Sequence, residues 1–389
     1  MTRAERAERL AGLMGIVEAE LEDLFEQDLH AKRIESLAGA TIGALTEGRL
    51  GVHAIGIGLA EARGLRQKHT IKQVDRLLSN AGIEVWDLFD TWVPYVLAQR
   101  EEALVALDWT DFDADDQSTL ALHLVSSHGR ATPLVWRTVR KSELKGERAR
   151  HEDEVLARFF EVAPTELKVT VLADRGFADR KLFALLENWE ADYVIRMRGK
   201  TTVESAEGDC CRAEEWTSPT GKARMLRGAR ITNARALVPA VVCVQAAKMR
   251  ETWCLATSRA DLNSTEVIKL YGRRFTIEEA FRDLKDHRFG FGFSEARVNS
   301  PARRDRLLFI AALAIALLTL LGAAGESLGY ERHLKANTSK KRTYSLLRQG
   351  ILYYNQIPAM PDDRLAPLMN RFAELLAQHA LFRKVLGIL

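Results

Sequence analysis

Residues 103–108 read Ala-Leu-Val-Ala-Leu-Asp, and residues 168–174 read Lys-Val-Thr-Val-Leu-Ala-Asp. Each is an apolar run too short for a helix and closed by an aspartate, the pattern of a buried strand that ends at its acid. Parallel and mixed sheets place functional groups where a strand meets a loop. Between the two runs, Thr119 to Ser126 and Ala131 to Arg140 are strand-like and flank Ser127-His128-Gly129-Arg130, which reads as a hairpin turn. A helix is expected from Glu152 to Phe160, another from Arg180 to Trp189, and a strand from Tyr193 to Met197.

Three strands, a helix, a strand, a helix and a strand is the order of a ribonuclease-H-like core, so the fold expected is α/β and multidomain. The core spans residues 101–300 and carries a β-rich insertion at about 200–257, where Thr, Val and Arg alternate with turn residues. Residues 1–100 and 301–389 read as helical. In the first of these, Lys32 to Leu45, a turn at Glu47-Gly48-Arg49-Leu50-Gly51, and Val52 to Ala62 suggest a helix, a glycine-containing turn and a second helix. A third helix, Thr70 to Leu78, follows Arg66-Gln67-Lys68-His69 and sets Lys72 and Arg76 four apart, so that both can face one phosphate backbone. Gly56-Ile57-Gly58 lacks the preceding strand that a dinucleotide loop requires.

The net charge of +3 says little, but its distribution says more. Acidic residues dominate up to position 31, ending in Glu18-Ala-Glu20-Leu-Glu22-Asp23; from Lys32 to Arg76 basic residues dominate. An acidic leader before a basic helical segment suits DNA binding, and equally suits two solvated helix faces of opposite sign. Cys210, Cys211, Cys243 and Cys254 have no zinc-ligand spacing and fit a reduced, cytoplasmic setting. The N-terminal stretch is charged and amphipathic rather than signal-like. Leu307 to Ala324 has about the minimum length for a membrane span. Its alanines and its isolation make it a buried core helix instead.

A long amphipathic helix is expected from about Ser264 to Asp286. On it Tyr271, Arg274, Glu278 and Lys285 fall within about a 60° sector, with Arg282 on the same face. Leu270, Ile277, Phe281 and Leu284 form an apolar stripe beside them. Such a row offers polar groups to a cleft, or is a solvated face with a Glu278–Arg282 pair. Asp108, Asp174 and Glu278 together supply hard oxygen ligands suited to two Mg²⁺ ions, a pair able to activate an attacking oxygen and stabilise a leaving one. Among 53 acids many other triads can be chosen, and Asp111, Asp113, Asp115, Asp116 and Glu279 lie close by.

With these residues in view, the chain resembles the bacterial insertion-sequence-four family of transposases, whose hallmark is a tyrosine–arginine–glutamate–lysine tetrad. The resemblance runs through Ile277 to Lys285, Gly290-Phe291-Gly292, Leu107-Asp108-Trp109-Thr110-Asp111, Ala173-Asp174-Arg175-Gly176-Phe177 and Lys68 to Leu78. It looks closest to the branch found in tetracycline-resistance transposons. The resemblance implies that Asp108, Asp174 and Glu278 are the catalytic, metal-binding carboxylates, with Mg²⁺ (or Mn²⁺) as two ions per site. It implies that Tyr271, Arg274 and Lys285 contact phosphates at the transposon end. It also implies that Arg66, Lys68, His69, Lys72 and Arg76 bind DNA, and that Trp253 stacks on an unpaired base, although a strand tryptophan is commonly core. The implied reaction is cut-and-paste transposition: nicking at terminal inverted repeats, hairpin formation and opening, and strand transfer to target DNA. The partners would be double-stranded DNA and a second copy in a homodimer, with no membrane. Trp109, Trp136, His123 and His128 read as core or DNA-facing residues rather than ligands. Lys335 to Arg348 is basic and suits either a DNA grip or a wet helix face. Two rivals remain at this stage: a DNA-binding inhibitor that keeps the fold without catalysis, and a nuclease that hydrolyses DNA without joining it.

Overall fold

In a computed structural model, residues 3–126, 130–247, 249–286, 291–336, 338–339 and 342–378 are described. The turn Ser127-His128-Gly129 and Gly290 therefore lie outside the described residues, as do positions 337, 340 and 341 of the basic C-terminal stretch. The N-terminal hundred residues form α1 (Arg3–Phe25), α2 (Ala31–Glu47), α3 (Val52–Arg63), α4 (Gln67–Ser79) and α5 (Val85–Leu97). Gly48 ends α2 with φ 66°, a left-handed turn that only glycine makes without strain, and its N–H caps the Ala44 carbonyl. α4 buries Thr70, Val74, Leu77 and Leu78, and the Thr70 hydroxyl donates to Gly56 O in α3 at 2.6 Å. Its opposite, basic face is thereby left to solvent.

The central elements follow as β1 (Glu102–Phe112), β2 (Gln117–Val125), β3 (Ala131–Arg140), α6 (Arg148–Val162), β4 (Lys168–Ala173), α7 (Arg180–Asn188) and β5 (Asp192–Met197). β1, β2 and β3 run antiparallel, while β4 and β5 run parallel to β1. Then come β6 (Thr202–Glu204), β7 (Cys210–Arg212), β8 (Arg224–Ile231), β9 (Ala236–Val244) and β10 (Trp253–Thr257). These strands do not make a separate sheet. β10 pairs with β5, and the whole is one ten-stranded sheet in the order β3-β2-β1-β4-β5-β10-β9-β8-β6-β7.

The last helices are α8 (Ser264–Gly272), α9 (Phe275–Lys285), α10 (Pro301–Ser327), α11 (Leu346–Gln356) and α12 (Asp362–Ala377). The single helix expected from Ser264 to Asp286 is thus broken in two. At Gly272, a poor helix former, the bonding tightens: Arg273 N–H donates to Leu270 O and Arg274 N–H to Tyr271 O, each three residues back. Between Lys335 and Ser345 the described residues are not helical, and Arg342 is paired with Glu326.

α10 is long and apolar enough to cross a membrane, yet 89% of its most apolar stretch is enclosed by protein. It packs on β3, α2, α11 and α12, and a single hydrophobic cluster runs from the N-terminal helices through the sheet to Leu376. α10 and α11 touch backbone to backbone. A Cβ at Gly350 would lie 1.8 Å from Leu318 O, and one at Gly322 would lie 1.9 Å from Leu346 O. Only hydrogen fits at either place. Gly350→Val should therefore lower the unfolding free energy by roughly 1–3 kcal/mol or more, read from chemical unfolding. Gly12→Ala, with nothing within 4 Å of its added Cβ, should leave it unchanged or raise it.

Candidate active site

Pairing between β1 and β4 ends at Leu107↔Ala173, but β1 continues against β2 as far as Phe112↔Gln117. Asp108 is consequently not at a strand end, as its apolar run suggested, but in the middle of β1 at the point where one neighbour stops. Asp174 is the residue that leaves β4. The two aspartates follow paired residues on adjacent strands, whose spacing is about 4.8 Å. Asp108 Oδ1 accepts from Trp109 N–H at 2.9 Å, and Asp174 Oδ1 accepts from Arg175 N–H at 2.6 Å.

Glu278 reaches the same place from α9, which packs on β1, β2 and β3 through Ile277, Phe281 and Leu284. Arg274 sits where α9 begins and is almost wholly buried. Its Nη1 donates to Asp108 Oδ2 at 3.2 Å and its Nη2 to Glu278 Oε1. One guanidinium thus joins the acid of the strand to the acid of the helix. Burial nevertheless dominates at Asp108: its pKa rises from 3.8 to about 6, against the opposing pull of Arg274 and with a further push from the charges of Glu278 and Asp174.

Tyr271 and Lys285 stand at the two ends of this arrangement. Tyr271 is fully buried, its hydroxyl has no partner among the described residues, and desolvation pushes its pKa up to about 12. Lys285 Nζ donates to Asp111 O at 2.6 Å and lies 4.6 Å from the centre of the Phe112 ring; burial lowers its pKa. Because of the break at Gly272, Tyr271 belongs to α8 while Arg274, Glu278 and Lys285 extend along α9. Trp253 is half-buried at the start of β10, edge-on to Tyr271 at 5.0 Å and stacked on Phe275 at 5.9 Å. Phe275 is itself 39% exposed and continues the aromatic surface toward solvent.

Nearby residues sort as follows. Trp136 is core, against Phe89 and Phe309. His123 is buried edge-on to Phe281, with its pKa lowered to about 3 by desolvation, so it is a neutral packing residue. Trp109 points to the opposite side of the sheet from Asp108, donating from Nε1 to Glu152 of α6 at 2.8 Å. At the N-terminal helices, Arg66, Lys68, His69, Lys72 and Arg76 are all exposed. His69, Lys72 and Arg76 share a groove with Lys32 and Arg33 of α2. Those two cations belong to the basic segment that begins at Lys32, and only the fold sets them beside α4. The meeting of Arg175 with Arg196 beside Asp174 was not foreseen, because it depends on the register of β4 with β5.

An all-carboxylate set suits a hard divalent cation, whose charge would offset the desolvation that raises the pKa of Asp108. Among the described residues no three acids, histidines or cysteines are drawn into a closed ligand cluster; Arg274 fills the space between Asp108 and Glu278 instead. The donor chemistry fits a metal.

The sheet thus sets two aspartates side by side, near a helix-borne glutamate. Residues 99–317 match the family described as Transposase DDE domain, which covers more than half the chain and every element from β1 into α10. The chain belongs to this family. It is a transposase, an enzyme acting on DNA, and enzymes of this class generally use divalent metal ions. No curated protein matches the chain.

Asp108 supplies a pH test of the metal-free site. The folded carboxyl keeps its proton up to about pH 6, whereas the unfolded one releases it near its ordinary value of 3.8. The folded state thus binds more protons between these values, and stability falls as pH rises through that window. Asp108→Asn should raise the unfolding free energy of metal-free protein at pH 7.5 by about 1–3 kcal/mol and make no difference near pH 4. An equal shift at both pH values would show that the carboxylate is not held at a cost.

Proposed function

We propose that the protein carries out cut-and-paste transposition on a ribonuclease-H-like core, as a member of the insertion-sequence-four family, with Asp108, Asp174 and Glu278 as the catalytic carboxylates. The observation that supports this best is the position of Asp108 and Asp174, each directly after the last parallel pair of β1 and β4, with α9 carrying Glu278 against β1, inside the DDE-domain match.

In this reading the three carboxylates hold two Mg²⁺ ions, which when bound activate the attacking oxygen and neutralise the leaving one in phosphoryl transfer. The chain's own groups do the rest. Arg274, released from one or both acids, turns its fork to a phosphate. Lys285 adds a point charge, and Tyr271 a hydroxyl with no other partner among the described residues. Water first attacks a phosphodiester at the transposon end and a 3′-oxygen leaves. That 3′-hydroxyl attacks the opposite strand, closing a hairpin and freeing the flanking DNA. Water opens the hairpin, and the regenerated 3′-hydroxyl attacks target DNA. Hairpin closure strains the end, and a displaced base gains about 1–3 kcal/mol by stacking on an aromatic side chain. Trp253, backed by Tyr271 and extended by Phe275, offers that platform. Arg66, Lys68, His69, Lys72 and Arg76 bind the terminal inverted repeat, and two copies act together in the cytoplasm, because two ends must be joined.

Cleavage of a labelled duplex bearing the element's own terminal repeat, with Mg²⁺ or Mn²⁺, tests the reading. Wild type should give nicks, hairpins and joined products. Asp108→Asn, Asp174→Asn and Glu278→Gln should each lose roughly a hundredfold or more of activity while still binding DNA. Cutting without joining would instead mean a nuclease, and binding without cutting an inhibitor.

The basic groove has its own signature. Lys72→Ala and Arg76→Ala should each weaken duplex binding and reduce the slope of log K against log salt by about 1. A loss of affinity with no change in slope would remove these two residues from the phosphate interface.

A further inference from the structure

Lys285 lines the same cleft as Asp108 and Glu278, yet among the described residues it has no ion pair. The two acids whose charges reach it are already taken. Asp111 accepts from Ser118 Oγ and from Lys141 Nζ, each at 2.7 Å, and Lys141 also holds Asp113 at 2.5 Å. What Lys285 has instead is the Asp111 carbonyl and the Phe112 ring. Both elements lead to this pairing. Phe112 stands four residues beyond Asp108 on one face of β1, about 13 Å along the strand. Lys285 stands about two turns beyond Glu278 on α9, roughly 10 Å along the helix. With Arg274 joining Asp108 to Glu278 at one end, the ring and the ammonium meet at the other.

The Phe112 ring is itself held. Arg304 of α10, fully buried, sets its guanidinium 3.9 Å from the centre of that ring and 5.0 Å from that of Phe293, which meets Phe112 edge-on at 5.1 Å. The same guanidinium donates from Nη2 to Asp115 Oδ2 at 2.5 Å, in the turn after β1, and from Nε to Gln117 Oε1 at 2.6 Å, at the start of β2. Asp115 and Gln117 in turn bind the N–H and the carbonyl of Val298. Withdrawing a cation wholly from water is costly, and the Nη1 of Arg304 has no partner among the described residues, so packing alone would be served better by an apolar side chain. A guanidinium adds what an apolar group lacks. Its positive charge beside Lys285 opposes settling of the ammonium into the protein and leaves that charge for an anion in the cleft.

We propose that Phe112 and Arg304 are positioning residues for Lys285: the ring, locked by the guanidinium, is a neutral seat that aims the ammonium into the cleft without pairing it to an acid. The proposal rests on the transposase reading above, in which Lys285 meets a DNA phosphate, and adds to it the two residues that hold Lys285 ready.

Single-turnover cleavage of the labelled terminal-repeat duplex by the full chain with Mn²⁺ tests this. Phe112→Leu keeps an apolar side chain in place and removes the ring. It should slow the rate constant of cleavage about two- to thirtyfold, the range of one cation–aromatic contact expressed as a rate. The fraction of protein that binds the duplex, titrated in EDTA, should stay unchanged, whereas a general defect of folding would lower it. With Lys285→Ala already present, the effect of Phe112→Leu should vanish; with Trp253→Ala present, it should persist in full. Arg304→Lys keeps the charge but loses the flat contact with the ring, and should slow cleavage in the same Lys285-dependent way. If that variant fails to fold, Phe112→Leu decides. No slowing by Phe112→Leu, or equal slowing with and without Lys285, overturns the proposal while the transposase reading stands. Wild type that does not cleave, or Lys285→Ala that cleaves at the wild-type rate, brings down the underlying reading and the proposal with it.

Discussion

The parallel pairing of β1, β4 and β5 is the constraint on which the rest of the molecule turns. It fixes which residues share a face of the sheet and at what level, and it stops on β4 just before Asp174. β1 runs on because β2 still supplies hydrogen bonds, so Asp108 is held by rigid strand while Asp174 begins a loop. α9 must then lie across β1 to β3 for Glu278 to arrive, and α10 packs against β3 with its apolar length buried to support the layer.

Electrostatics in the site is arranged around guanidinium groups. Arg274 is almost wholly buried and spans Asp108 and Glu278, so acids that would repel each other are kept in order by a counter-ion supplied from the chain. Burial still wins at Asp108 and lifts its pKa to about 6. On the far side of Asp174 the roles are reversed, with two arginines, Arg175 and Arg196, and one glutamate, Glu251.

Much was legible in the chain itself. The strand runs at 103–108 and 168–174, the hairpin strands, and the helices at 152–160 and 180–189 all correspond to elements in the structure. Residues that neighbour one another in sequence settle such features through propensity and periodicity. Tyr271, Arg274, Glu278 and Lys285 also stood out by spacing. That spacing assumed one unbroken helix, however, whereas Tyr271 lies in α8 before the break and packs against Trp253 and Phe275, with the Arg274 guanidinium 5.9 Å from the centre of its ring. The basic character of Lys335 to Arg348 suggested a helix face that the described residues there do not form until Leu346.

What the sequence determined by itself, then, was the local alternation of strands and helices, the acids at or near the ends of apolar runs, and the stretch of α10 too apolar to be left exposed. What only the tertiary structure decided was partnership: that Asp108 lies mid-strand, that the strands after residue 200 extend the same sheet, that Arg274 bridges two acids, and that Arg175 and Arg196 meet at Glu251. The physical reason is range. Helix and strand preferences are written in the few residues around each position, whereas register, burial and ion pairing depend on residues far apart along the chain, 166 positions for Arg274 and Asp108 and 351 for Arg9 and Met360. Only the packed chain brings those together.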